Sequence, residues 1–392
     1  MSTFAHKSKR LPLTPTRHAR SACMALLCLA LAACLPRWET TIVAPDGSPY
    51  LVNQARLDDL SAYIEPDEGQ EGVPLERLLW NAGHTLIEEL ALIQTNGTRH
   101  VLDWPAAAGV EWHKNGQLVY NGQTARVERI EVRALALLSQ VRASITDLAP
   151  SAAAALGLPA PAQAIGRALD APPAEHVLLL FLDGFGYLRY TQALQQGEIP
   201  TLSGLGQPLL AATTYPPVTS VSTGSLLTGA PPAVHGADQR GIRKTEVETL
   251  FDVAASAGRT VVAVEGEALA FELRSAEWQL SGDRDGNGST DDNVLRNALA
   301  VLDQGMPDLL LVHFHGIDDA GHTYGPGAPE ERAAVREVDA AAGEILAALP
   351  ANTLALIFAD HGMHPVQEEG RLGNHGHLIA EDMLIPIFVW FK

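Results

Sequence analysis

Cysteine is nearly missing from this chain. It has 392 residues and 3 cysteines, and Cys23, Cys28 and Cys34 all lie at the start. Beyond them no disulfide framework or thiolate metal site can form. Charge is sparse at 19%, and basic charge most of all: 27 Lys and Arg face 46 Asp and Glu, a net of −19. That balance repels a phosphate polymer and argues against nucleic-acid binding. It leaves room for a small anionic substrate if metal ions sit in the site. No run of 18 uninterrupted apolar residues occurs, so no segment is expected to span a bilayer. With 46% hydrophobic residues the chain is not disordered, and its length predicts roughly two or three domains.

The N-terminus reads as an address. Lys7, Lys9, Arg10, Arg17 and Arg20 precede an apolar run from Ala22 to Ala33, too short to cross a membrane and of signal-peptide type. It ends Leu31-Ala32-Ala33-Cys34, which resembles the lipobox of bacterial lipoproteins. Residues 1–33 are thus expected to be a lipoprotein signal peptide. Cys34 is expected to carry the lipid, with the mature chain exported and anchored at the cell envelope. An ordinary secretory peptide, with Cys34 incidental, is the alternative.

Residues 34–148 read as an N-terminal accessory domain of mixed α+β type. Thr40–Val43, His100–Leu102 and Leu118–Tyr120 are strand-like, and Leu75–Asn81 and Ala125–Val141 have partly helical spacing. The segment Gly72–Leu79 is faintly similar to the molybdopterin-binding domain of sulfite-oxidase-like proteins. It lacks the cysteine that commonly ligates molybdenum, so an accessory module without the cofactor is expected. Residues 149–174 are rich in Ala and Pro and read as a linker, partly helical at best. From 175 to 392 apolar runs (Val177–Leu182, Val261–Val264, Leu309–Val312, Leu354–Phe358, Ile385–Trp390) alternate with helix-like segments. That pattern predicts an α/β layered fold with a largely parallel central sheet.

Three of these strands run into acids: Asp183, Asp318 and Asp360. In parallel sheets, ligands bind beyond the carboxyl ends of the strands. Carboxylates converging there repel unless cations neutralise them. His322 follows Asp318 by four positions, His361 adjoins Asp360, and His375 sits in Asn374-His375-Gly376. Carboxylates with imidazoles and no thiolates suit Zn²⁺, and Mn²⁺ or Fe less well. The Thr/Ser-rich segment before Ser225 either caps a helix or places a hydroxyl at its positive end, where phosphate is held.

These motifs, in this order over about residues 175–392, resemble the alkaline phosphatase superfamily and, within it, the type I phosphodiesterase/nucleotide pyrophosphatase family. The resemblance implies a nucleophile at Thr219 in Tyr-Pro-Pro-Val-Thr. It implies one ion on Asp183, Asp360, His361 and Thr219, and a second on Asp318, His322 and His375. Ser220 and Ser222 are the candidates to bind a phosphoryl oxygen, Ser222 standing where the family often has Asn. Arg240 and Arg243 are read either as substrate contacts or as solvated surface. No basic cluster beside Thr219 is expected, and diesters are therefore favoured over monoesters. The short step from His361 to His375 puts nucleotide specificity in doubt.

Asp283, Asp285, Asn287 and Asp291 resemble an EF-hand-like calcium loop, with Val294 where a Glu would complete it; an acidic turn without an ion is the alternative. The function expected is metal-dependent hydrolysis of a small phosphoric ester at a phosphodiester or pyrophosphate bond. A phosphomonoesterase or phospho-group transferase is the alternative within enzymes, and a non-catalytic substrate-binding lipoprotein the alternative outside them.

Overall fold

A computed structural model of the chain describes residues 38–61, 72–104, 107, 110–113, 115–120, 122–267, 270–368 and 370–392. The signal-peptide region and Cys34 lie outside the described residues. No helix among the described residues is long and apolar enough to cross a membrane.

The N-terminal part is an eight-stranded sheet with two flanking helices. Its strands are β1 (Glu39–Val43), β2 (Pro49–Asn53), β3 (Val73–Pro74), β4 (Ile87–Gln94), β5 (Arg99–Asp103), β6 (Glu111–Trp112), β7 (Gln117–Tyr120) and β8 (Gln123–Ala134). The helices are α1 (Gln54–Ser61) and α2 (Leu75–Asn81). The helical spacing expected over Ala125–Val141 is corrected: β8 is a long strand, followed by a 3-10 turn at Ala136–Gln140. A bulge explains the misreading. Ile93 pairs with Arg129 but Gln94 with Val127, so one extra residue stretches the spacing of buried Val127 and Ile130 from two to three. Three is also a helical interval.

The second sheet has the order β13-β12-β14-β10-β15-β18-β11-β9. Its members in chain order are β9 (Ala143–Ser144), β10 (His176–Leu182), β11 (Leu209–Ala212), β12 (Val261–Glu265), β13 (Glu277–Leu280), β14 (Leu309–Phe314), β15 (Thr353–Phe358) and β18 (Leu384–Phe391). β13, β12, β14, β10 and β15 run parallel; β18 lies antiparallel between β15 and β11. The central strands are buried on both faces by helices, which is why they read as unbroken apolar runs. Truncating one such residue, Leu180→Ala for example, should cost roughly 2–5 kcal/mol.

The segment expected to be a linker departs from that reading at its start. Helix α3 (Leu148–Ala155) is buried along nearly its whole length and belongs to the main core. Alanines let it approach its neighbours closely, and Pro150 is tolerated because it falls in the first turn, where N–H groups lack partners anyway. The other helices that matter here are α4 (Tyr187–Gln196), α5 (Thr219–Thr228), α6 (Leu250–Ser256), α7 (Asp291–Gln304), α8 (Gly316–Tyr324) and α9 (Pro329–Ala348). A small hairpin, β16 (His364–Glu368) with β17 (Arg371–Asn374), crosses the edge of the site.

Candidate active site

Neighbouring strands β14, β10 and β15 end side by side, and each delivers one acid. Asp183 follows β10 directly, Asp360 lies just past β15, and Asp318 sits in the first turn of α8 after β14. All three are buried or nearly so. Gly184 makes the approach possible: its φ is +72°, and a Cβ there would stand 2.9 Å from Asp318 Oδ1.

Two groups of side chains converge. The ligating atoms of Asp183, Asp360 and His361 lie within 4.8 Å of one another, and so do those of Asp318, His361 and His375. His322 joins through Asp318, its Nε2 3.1 Å from Oδ2. His361 and His375 stack at 3.8 Å between ring centroids. Each of these histidines has its Nδ1 at a backbone carbonyl: His361 at Gly362 (3.0 Å), His375 at Pro217 (2.9 Å) and His322 at Gly373 (2.8 Å). Such contacts fix a ring so that Nε2 faces a metal.

The residues fit divalent cations on their own chemistry. Asp183 Oδ1, Asp318 Oδ1 and Asp360 Oδ2 are buried with no hydrogen-bond partner, an arrangement that costs stability unless a ligand meets them. Burial, with the charges of Asp183 and Asp318, pushes the Asp360 carboxyl well above its usual range. A cation would relieve that repulsion. Burial lowers the His361 pKa to about 4, so the ring is neutral, as a ligand must be.

Thr219 is the first residue of α5, and its Oγ1 lies 3.2 Å from His361 Nε2. It faces a cavity of about 320 Å³ that Asp183, Ser220, Arg240, Arg243, His315 and Asp318 also line. Two guanidinium-bearing side chains therefore line the same cavity as Thr219, where no basic cluster was expected. They come from a turn about twenty residues along the chain, a proximity that spacing could not reveal. Ser222 is also corrected. It is fully buried, its Oγ 3.1 Å from Thr213 Oγ1, because it lies on the inner face of α5 and away from the cavity. Ser220 stays at the cavity wall.

The calcium-loop residues separate into two groups. Asp283, Asp285 and Asn287 form exposed turns, accepting backbone N–H groups from Gly286, Gly288, Asn287 and Ser289. Asp291 is turned inward: its two oxygens accept N–H from His315 and Gly316 at 2.9 Å and so cap α8.

Sequence reasoning missed Glu265, His313 and His315. These line the back of the site: His313 Nε2 and His315 Nδ1 lie 3.1 and 3.5 Å from Asp183 Oδ2. The available signal was the alternation His313-x-His315 at the end of an otherwise apolar strand. Arg371 was missed as well; its Nε and Nη2 lie 3.1 Å from His322 Nδ1 and 2.9 Å from His322 Nε2.

Residues 241–387 match the family model described as type I phosphodiesterase/nucleotide pyrophosphatase. That match lies within the C-terminal half of the chain. The match includes Asp318, His322, Asp360, His361 and His375; Asp183 and Thr219 precede it. Among curated proteins, the chain is 33% identical over 75 residues to the catalytic subunit of GPI ethanolamine phosphate transferase 3 from Mus musculus, covering 19% of this chain and 7% of that protein. It is 32% identical over 75 residues to an uncharacterized pyrophosphatase/phosphodiesterase of Schizosaccharomyces pombe, covering 18% and 16%. The chain thus spans only a small fraction of these relatives' length. Among solved structures, phosphonoacetate hydrolase from Sinorhizobium meliloti with phosphonoformate is 21% identical, with a TM-score of 0.40 over 52% of this chain and 60% of that one. Murine ectonucleotide pyrophosphatase/phosphodiesterase 5 is 14% identical, with a TM-score of 0.43 over 54% and 87%.

Proposed function

We propose that this chain is a metal-dependent hydrolase of small phosphoric esters with Thr219 as its nucleophile, exported and tethered at a bacterial cell envelope through a lipidated Cys34. One observation carries the catalytic part: Thr219 Oγ1, at the head of α5, lies 3.2 Å from His361 Nε2 amid buried carboxylates and imidazoles. The tether rests on the N-terminal sequence pattern alone.

Asp183, Asp360 and His361, with Thr219, would hold one ion, and Asp318, His322 and His375 a second. When bound, such ions lower the pKa of a hydroxyl or a water and neutralise charge on the attacking and leaving oxygens. The protein supplies position and charge. Thr219 presents its hydroxyl at the positive end of a helix dipole, where the N–H groups of the first turn also face a phosphate. Its Oγ1 gives up a proton and attacks phosphorus opposite the departing oxygen. The Oγ1–P bond forms as the bond to the leaving alcohol breaks, and that alcohol takes up a proton. Water then attacks the phospho-threonine from the other side, restoring the Thr219 hydroxyl; two inversions give net retention. Arg240 and Arg243, at the cavity wall, are placed to meet the non-bridging oxygens.

The ethanolamine-phosphate transferases among the relatives support a second reading, in which an acceptor alcohol replaces water in the second half-reaction. Both readings share the first half. The test is a screen of monoester, diester and pyrophosphate substrates on chelator-stripped protein with Zn²⁺ or Mn²⁺ restored. Metal-dependent release from at least one class is expected. No release from any class under any metal contradicts the hydrolase reading.

A further inference from the structure

A second cavity opens between the N-terminal helices and the catalytic part. Its volume is about 570 Å³, against about 320 Å³ for the cavity at Thr219. One wall is built by α1 and α2, with Asp59 and Trp80 among its side chains; Tyr215 and Asp238 stand on the facing wall. Neither part encloses the cleft alone. The facing wall also continues into the catalytic cavity. Tyr215 leads through Pro216, Pro217 and Val218 to Thr219, and Asp238 leads through Gln239 to Arg240. Thr219 and Arg240 line that cavity. Two residues of chain span at most about 7 Å, so the cleft and the cavity are neighbours along shared segments.

The lining selects a class of ligand. Trp80 and Tyr215 bring their rings to 6.1 Å between centroids, tilted by 39°. Tyr215 is buried and Trp80 half-buried, so apolar ring surface lies at the bottom of the cleft. Around it stand the carboxylates of Asp58, Asp59 and Asp238, the Asn81 amide, and the guanidinium groups of Arg56 and Arg77. The charges nearly cancel, and Arg77 Nη2 lies 3.8 Å from Asp238 Oδ2 between the two walls. An anion would meet the carboxylates and a cation the guanidinium groups, so neither finds a complementary field. A neutral polyhydroxyl ligand does fit. Carboxylates only accept hydrogen bonds, guanidinium groups only donate and an amide does both, while a hydroxyl can serve any of them. Bonds to the charged groups are the strong ones. The C–H faces of a sugar ring pack on the aromatic rings, whose bodies are apolar. The volume is that of a small-molecule site.

We propose that this cleft is a saccharide-binding site, formed jointly by the N-terminal helices and the catalytic part, which holds a mono- or disaccharide unit beside the segment that carries Thr219. The N-terminal part then has a recognition role in addition to its packing against the catalytic part. The site stands apart from the hydrolase reading, because holding a sugar requires neither metal nor turnover.

The experiment uses the full-length protein, treated with chelator so that no ester is turned over. It is titrated with glucose, mannose, galactose, N-acetylglucosamine, maltose and cellobiose. Binding is read by saturation-transfer NMR and by tryptophan fluorescence, for the wild type, Trp80→Ala and Asp59→Ala, with thermal melts to show that each is folded. At least one sugar is expected to bind the wild type with a Kd below about 5 mM. Trp80→Ala should weaken that binding at least tenfold. Asp59 is exposed, so Asp59→Ala should fold, and it is the second route if Trp80→Ala does not. If none of the sugars binds the wild type below about 50 mM, or if the folded variants bind as tightly as the wild type, the proposal is overturned. Failure here leaves the hydrolase reading untouched, and failure of the ester screen leaves the cleft untouched.

Discussion

Glu76, on α2 of the N-terminal sheet, grips the segment that carries His375. Its carboxylate accepts the backbone N–H of Leu378 at 2.6 Å and the ring Nδ1–H of His377 at 2.8 Å. The Leu378 carbonyl is also taken, by Trp104 Nε1–H at 2.6 Å. Both backbone groups of Leu378 are thus satisfied by N-terminal side chains, three residues beyond a candidate metal ligand. The N-terminal part therefore braces the site. Glu76→Ala should lower stability by about 1–3 kcal/mol, because a buried N–H loses its acceptor. It should also weaken the ion held by His375 more than the ion held by Asp360. Zn²⁺ titrations with thermal melts check this; equal weakening of both ions would reduce Glu76 to a purely structural role.

Arg240 and Arg243 bear on which esters are cleaved. Burial lowers the Arg240 pKa, with a further contribution from Arg371, yet a guanidinium remains charged at neutral pH. Arg240→Ala should cost roughly 10–100-fold in kcat/KM, on the scale of one lost charge-assisted contact. The loss should be greater for a monoester dianion than for a diester. Steady-state kinetics with p-nitrophenyl phosphate and its bis ester decide the point; an equal loss on both would mean that Arg240 does not touch the phosphoryl group.

Asp360 offers a test with two opposite signs. Its raised pKa reflects burial and repulsion from Asp183 and Asp318. Asp360→Asn removes that repulsion, so the chelated variant should melt above the chelated wild type. The same change removes a ligand, so Zn²⁺ should stabilise the variant less than the wild type. Turnover should fall by several orders of magnitude. A chelated variant that melts below the wild type would show that Asp360 is not in a repulsive cluster.

His235 predicts a specific acid sensitivity. Burial lowers its pKa to about 4, and its Nδ1 accepts the N–H of Ala237 at 3.1 Å. The unfolded chain has the ordinary value, near 6.5, and so binds the proton first. Stability from this group is therefore full above about 6.5 and is lost as pH falls toward 4. The loss is on the order of 3 kcal/mol at most. Denaturation midpoints of wild type and His235→Gln should converge as pH drops through that window. A constant difference between them would contradict the assignment.

Much of the catalytic half was legible because buried parallel strands announce themselves as apolar runs, and because acids at their ends mark the face where ligands bind. Asp183, Asp318 and Asp360 were found that way and do converge. What escaped depended on pairing or on distance in the chain. Val127 and Ile130 carry a bulge that imitates helical spacing. Ala149 and Ala152 belong to a buried helix whose composition reads as a linker. Ser222 faces the wrong side of α5, a matter of one helical rotation that motif position does not encode. Glu76 and Glu265 reach the site from segments whose proximity only the fold supplies.

The central claim is that Thr219 forms the covalent phosphoryl intermediate, and a quench experiment tests it most directly. Zn²⁺-loaded wild type and Thr219→Ala are mixed with a phosphoric ester that the screen shows to be a substrate, stopped in acid, digested and analysed by mass spectrometry. Wild type is expected to yield a peptide bearing the transferred phosphoryl group on Thr219. Thr219→Ala should fold, bind its metal, lack the adduct and lose nearly all turnover, by several orders of magnitude. Wild-type turnover in Thr219→Ala would contradict the account.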